Sequence, residues 1–285
     1  MGLLLEVYEA ELELRKLTVE IMDKLIRGMY ELYMEGKAWE YIFYYIHLDD
    51  FKPTLKYKEI NDFIKNQEIN IYLSSRRTKD SSSAHVNFHS FPRIADIKLR
   101  FNDDELWSMS QELGDNPTYN QFRKIIENKR FNSLLHELQH TYDGWRSNLA
   151  AFDGQNTSDY INSIKKYKNA KEKEYNKRTP EEQQSIDNAW KKYIRLQHEI
   201  NARYTVAVNN IKFTESEGNK VKMLDWDDVW WSFKTEYFTS YKDLTKKDKV
   251  RLSRRLYKAY QAKSKKIQKF NDNMSKLLNK KNRRI

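Results

Sequence analysis

The chain has 285 residues, enough for one large domain or two modest ones and for a substantial buried core. It contains no cysteine, which excludes a disulfide framework, a zinc ribbon and any thiolate ligand, so a bound metal would have to be held by imidazoles and carboxylates. The formal net charge is +11, but residues 245–285 hold 16 Lys and Arg against two acids, leaving 36 against 39 elsewhere; the excess positive charge belongs to one terminal segment.

Hydrophobic residues make up only 39% of the chain, yet 19 Tyr, 13 Phe and 7 Trp bring large buried areas per residue, so the composition does not argue for disorder. Few Gly and Pro favour long helices over a turn-rich β fold. The opening Met1-Gly2-Leu3-Leu4-Leu5 meets Glu6, Glu9, Glu11 and Glu13 at once, which is not a signal-peptide pattern, and no 18-residue apolar run exists to span a membrane. A cytoplasmic protein is expected, in the host cytoplasm or a virion if the source is a phage or virus, an origin that suits the richness in Lys, Asn, Ile and Tyr.

Residues 3–36 carry Leu5, Tyr8, Leu12, Ile21, Leu25, Met29 and Leu32 at helical spacing, and Gly36 is a natural stop. Residues 38–48 are too aromatic for a surface, which makes His47 a core residue. A turn at Asp50 and Pro53 and a short helix near 56–66 follow. Three strand candidates come next: 69–73, 85–89 and 94–101, with an exposed loop over 74–83. His85 and His89 share one face of the second strand, which reads as a solvated face. Asn116-Pro117 reads as a helix start, and a bend near 129–132 is expected before the next helical run.

That run holds His136-Glu137-Leu138-Gln139-His140, the motif His-Glu-x-x-His. Residues i and i+4 of a helix lie on one face, so both imidazoles can reach a single ion, while Glu137 is placed to hold a water without binding the metal. No charge, Pro or Gly interrupts 138–142, as a buried active-site helix requires. Gly144 is expected to end the helix. Loop over 146–160, a Lys-rich helix over 161–177, and a helix opened by Thr179-Pro180-Glu181-Glu182 and running through Tyr204 complete the middle of the chain.

Two His do not make a catalytic zinc site, which needs a third protein ligand. Metzincins place a third His six residues after the second, where this chain has Arg146. DNA-repair proteases of the SprT type also take a His a short way downstream, and the next one here is His198. Glu199-Ile200-Asn201-Ala202, 59 residues past His140, matches the Glu-x-x-Ala of gluzincins. Over these two motifs the chain resembles a gluzincin-type zinc metallopeptidase. The resemblance implies that His136, His140 and Glu199 bind Zn2+, that Glu137 is the general base in hydrolysis of a peptide or protein substrate, and that the fold is zincin-like. Asp143, one turn beyond His140, is a candidate acceptor for a ligand imidazole, or alternatively the third ligand itself. Tyr204, Arg203, His198 and Tyr142 are candidate donors to the oxyanion, Tyr204 first.

Residues 225–241, aromatic and acidic, read as a core-packing helix, and from Thr245 a basic amphipathic helix begins. Its charge suits nucleic acid or an acidic partner. The expected class is therefore α+β and predominantly helical, with a small twisted sheet before the motif helix and a second ligand-bearing helix after it. The expected regions are 1–66 helical, 67–215 catalytic and 216–285 helical with the basic tail. The competing expectation is a non-catalytic structural or virion-associated protein on the same scaffold, tethered through 245–285. Deleting that segment would then abolish association and leave hydrolysis intact.

Overall fold

A computed structural model describes residues 2–36, 43–47, 58–66, 68–74, 84–89, 94–101, 103–146, 178–217 and 220–282. Helix α1 (Gly2–Met34) places Leu14, Leu17, Ile21, Met22, Leu25, Ile26 and Met29 on one buried stripe, the 3.6-residue repeat made physical. It ends where Gly36, at φ +75°, takes the left-handed conformation that glycine adopts without strain.

The sheet has four strands in the order β1-β2-β4-β3: β1 (Phe43–His47), β2 (Glu68–Ser74), β3 (Ala84–His89) and β4 (Ile94–Arg100). Its central pair, β2 and β4, is parallel, and both edge strands run antiparallel to their neighbours. Ile69 and Ile71 on β2 and Ala95, Ile97 and Leu99 on β4 alternate into the core, with Ile71 level with Ile97. On the opposite parity, Asn70 Nδ2 donates to Asp96 Oδ1 at 2.9 Å and pins the register. Strand β1 falls where the sequence suggested only core aromatics; with every residue from Tyr41 to Ile46 apolar, a period of two cannot show. His85 and His89 lie on edge strand β3, level with Lys98 and Ile94.

Helix α2 (Lys58–Asn66) matches the short helix expected there, and α3 (Asp103–Leu113) was not foreseen. Helix α4 (Tyr119–Arg146) corrects three expectations. It begins two residues after Pro117, capped by Thr118: Gln121 N donates to Thr118 Oγ1 at 3.3 Å while Thr118 N donates to Gln121 Oε1 at 2.8 Å. It runs uninterrupted through 129–132, where Arg130 turns inward, donates to Arg100 O at 2.6 Å, pairs with Glu105 and lies over the Phe101 ring. It also passes through Gly144, which is buried. The turn at Asp50 and Pro53, the loop at 75–83 and the segments 147–160 and 161–177 lie outside the described residues.

Helix α5 (Pro180–Ile194) starts at the capping box read from the sequence, with Glu182 N on Thr179 Oγ1 and Thr179 N on Glu182 Oε2. The chain then breaks: Leu196 is extended at φ −62°, ψ 138°, Arg195 Nε donates to Asp243 O, and helix α6 (Gln197–Asn210) sets off separately. The single helix expected from 179 to 204 is thus two, and the break frees α6 to lie against α4. A hairpin of β5 (Thr214–Glu217) and β6 (Lys220–Met223), helix α7 (Trp226–Ser232), a π-helical turn (Phe233–Tyr237) and a 3-10 turn (Thr239–Asp243) lead into helix α8 (Lys246–Asn282).

Two apolar clusters result. One joins α1, α2, β2, β4, α3 and α4; the other joins α6, α7, the π turn and the first turns of α8. No helix among the described residues is long and apolar enough to cross a membrane.

Candidate metal centre

The i, i+4 geometry of α4 brings His136 Nε2 and His140 Nε2 to 3.0 Å from each other. That is hydrogen-bond distance for one imidazole N–H facing the other ring's lone pair, and it is also a spacing that two donors to one ion can take. Glu199, in the first turn of α6, completes the group: Oε1 lies 3.3 Å from His140 Nε2 and Oε2 lies 3.7 Å from His136 Nε2. A tetrahedral ion about 2.0–2.1 Å from each donor would hold them about 3.3 Å apart. The three observed separations straddle that value. Glu199 is 1% exposed, and its Oε1 is buried without an aligned hydrogen bond, as a metal-facing oxygen would be. His136, His140 and Glu199 form a group that could hold a metal ion.

The electrostatics follow from this crowding. Burial alone would push the Glu199 carboxyl up, but the adjacent His136 and His140 imidazoles outweigh it and hold the group well below the usual carboxylate range. Burial would lower His140, but Glu199, with Glu137 and Asp143 behind it, raises the imidazole above its ordinary value.

Behind His136, His140 and Glu199 runs a polar chain that links three helices. Asp143 Oδ1 accepts from Gln139 Nε2 at 2.9 Å, and Asp143 Oδ2 accepts from Asn201 Nδ2 at 3.0 Å. Arg255 Nη1 of α8 donates to Asn201 Oδ1 at 2.8 Å, and Thr205 Oγ1 donates to Gln139 Oε1 at 2.9 Å. Burial raises the Asp143 pKa in spite of the donors from Asn201 and Gln139. Asp143 therefore stands in the supporting chain, one turn beyond the group formed by the two His and Glu199.

A cleft of about 600 Å³ opens beside the group and is lined by His136 and Glu137. Its other walls include Trp190 and Tyr193 of α5, Arg203 of α6, and Tyr237 with the turn that follows. Glu137 is 7% exposed.

The four oxyanion candidates separate. Arg203 lines the cleft. Tyr204 is buried in the second apolar cluster, edge-on to Phe233 with the Arg255 guanidinium 4.0 Å over its ring, and is not among the cleft-lining residues. Tyr142 packs against Phe63 and Trp145. His198 is buried with its ring 5.3 Å from that of His140, outside the ligand group.

Sequence reasoning missed Tyr237, Trp190 and Tyr193 in the cleft, and Asn201, Thr205 and Arg255 behind the ligands. Gln139 and Asp143 were within reach: two polar residues four apart on the buried face of α4 require polar partners on whatever helix covers them. Comparison of the chain with family models, with curated proteins and with solved structures gave no match.

Proposed function

We propose that this chain is a zinc-dependent peptidase. The observation that carries the proposal is the meeting of His136, His140 and Glu199, drawn from two helices, beside a cleft that Glu137 also lines. Two imidazoles and one carboxylate are the donor set of hydrolytic zinc sites, three protein ligands with a fourth position left for water. A bound zinc supplies Lewis acidity and brings the pKa of a water molecule toward neutrality.

The chain's own residues do the rest. Glu137, next in sequence to a ligand yet outside the ligand group, takes the proton from the attacking water and delivers it to the leaving amine. Tyr237, which lines the cleft, is a candidate donor to charge that develops on the carbonyl oxygen; Tyr204, enclosed in the core, is not among the cleft-lining residues. Asp143, Gln139, Asn201 and Thr205 hold the α4–α6 interface in register, so that Glu199 stays opposite the two imidazoles.

The test is metal content together with turnover. Purified protein should carry about one zinc per chain by inductively coupled plasma mass spectrometry. Glu137→Gln should keep that zinc and lose peptide hydrolysis by at least about a hundredfold. A wild-type protein no richer in zinc than His136→Ala defeats the proposal.

A second reading attaches to α8, whose Lys263, Lys265, Lys266 and Lys269 are all exposed. Such a cationic ridge suits an anionic polymer such as nucleic acid, with or without hydrolysis at the cleft.

A further inference from the structure

Among the described residues lining the cleft, Arg203 is the single Lys or Arg and Glu137 the single Asp or Glu. Arg203 is fixed twice. Its Nε donates to Glu199 Oε2 at 3.1 Å, and its guanidinium lies 5.2 Å from the centre of the Trp190 ring. A guanidinium has five N–H donors, and one is used here. The four on the terminal nitrogens have no partner among the described residues, and the side chain is 26% exposed. The result is a planar cation braced at its inner edge and lying over an aromatic face within cation–π range, with its outer fork open. That is the form in which proteins recognise carboxylates.

Charge points the same way. With a divalent cation between neutral His136 and His140, the two carboxylates Glu199 and Glu137 cancel it, and Arg203 leaves the cleft with a net positive charge. Removing Arg203 from solvent solely to pair with Glu199 would need only one donor. A lysine at the same i+4 position on α6 would supply it as a point charge, without the fork or the aromatic platform.

We propose that Arg203 binds a carboxylate of the substrate, so that the cleft selects peptides carrying an acidic side chain or a free C-terminal carboxylate within a residue or two of the cleaved bond. This rests on the peptidase reading given above. It differs from a role for Arg203 on the reacting carbonyl, because a carboxylate contact is made in the ground state and governs binding.

The experiment uses the zinc-loaded full chain on a proteome-derived peptide mixture, with cleavage sites read by mass spectrometry. The best cleaved peptide is then remade in matched forms, Asp or Glu against Asn or Gln, and free acid against amide, which separates the two sources of carboxylate. The expected result is a kcat/KM ratio of about tenfold or more in favour of one carboxylate form, expressed in KM. Arg203→Gln should bring that ratio near one, and Arg203→Lys should leave it in between. Because the readout is a ratio, any loss common to both peptides through the Glu199 contact cancels. If the variants turn over too slowly, the same ratio is read as Kd in zinc-loaded Glu137→Gln and Glu137→Gln/Arg203→Gln.

Cleavage with no preference for a carboxylate overturns this inference and leaves the peptidase reading standing. So does a preference that survives Arg203→Gln, or a uniform fall in kcat on every peptide, which would assign Arg203 to the reacting carbonyl. No cleavage by a protein holding one zinc per chain overturns both.

Discussion

Deleting the basic segment from residue 246 onward should disable the metal centre as well as any tethering, because the first turns of α8 belong to the core. Leu252 and Leu256 are 0% exposed in the cluster that also holds Ile200 and Tyr204, on the helix that carries Glu199. Fully buried leucines contribute about 1.5–3 kcal/mol each, so about 3–6 kcal/mol leaves with the two. Arg255 to Asn201 Oδ1 and Tyr260 Oη to Leu224 O, both at 2.8 Å, go too, at about 1 kcal/mol each. Against a typical total of about 5–15 kcal/mol, that is enough to unfold the second cluster. A chain ending after Ser264 loses only the outer helix, including the hydrogen bond from Asn271 Nδ2 to Val221 O at about 1 kcal/mol. The assay is thermal unfolding by circular dichroism beside zinc content for the full chain and both truncations. The chain ending at Ser264 should match the full chain within a few degrees in Tm and keep its metal, while the chain ending at Thr245 should lose both. A chain ending at Thr245 with full Tm and full metal would refute the reasoning and restore the detachable tail that the sequence suggested.

Asn201→Leu keeps the volume but strips the bridge between Asp143 and Arg255; it should cost about 2–4 kcal/mol in urea unfolding and weaken zinc binding about tenfold or more by competition with a chelator, and unchanged values in both would show the chain to be incidental. Asp23 ties α1 to α4: burial would raise its pKa, but hydrogen bonds from Arg27 and Tyr119 and the charge of Arg123 hold it below the usual value. A depressed carboxylate stabilises the fold above its unfolded value of about 3.9, and that contribution disappears as pH falls through the folded pKa. Asp23→Asn should therefore lower Tm at neutral pH and converge with wild type in acid, whereas a gap independent of pH would deny the ion-pair origin. Reversing Lys263, Lys265, Lys266 and Lys269 to Glu should weaken binding of a duplex DNA probe in fluorescence anisotropy and flatten its dependence on salt by about 0.9 per lost phosphate contact; an unchanged slope would remove α8 as the contact surface.

The sequence made some of this legible for physical reasons that can be named. The stripe of α1 and the alternation in β4 were readable because each helix or strand there buries one face only. The start of α5 was readable because a capping box needs specific side chains at fixed offsets. Elements whose boundaries depend on distant partners were not. Arg130 reads as a surface charge until Glu105, the Arg100 carbonyl and the Phe101 ring are brought round it, and only then is an unbroken α4 the sensible outcome. The break at Leu196 has no Gly or Pro to announce it; it is fixed in part by Arg195 reaching the carbonyl of Asp243, 48 residues away. The β5–β6 hairpin and α3 are short, with mixed polarity, and take their form from what they cover.

The same distinction runs through the site. His136 and His140 lie one helical turn apart, so their convergence is a local fact, fixed by the helix and visible in five letters. Glu199 is 59 residues further on, and apart from the short Glu-x-x-Ala match nothing in its own surroundings separates a ligand from a helix residue paired with Arg203 at i+4. In the structure Glu199 has both kinds of neighbour: Oε2 accepts from Arg203 Nε while Oε1 turns toward His140. The two contacts reinforce each other, because the guanidinium limits rotation of the carboxylate and so presents one oxygen to the imidazoles. A contact that looks like ordinary helix stabilisation in one dimension fixes, once α6 is folded against α4, the Glu199 carboxylate beside the two imidazoles. That dependence on the α4–α6 interface is why the polar chain through Gln139, Asp143, Asn201 and Arg255 lies directly behind His136, His140 and Glu199, and why the group cannot be separated from the helices, α8 included, that hold the interface closed.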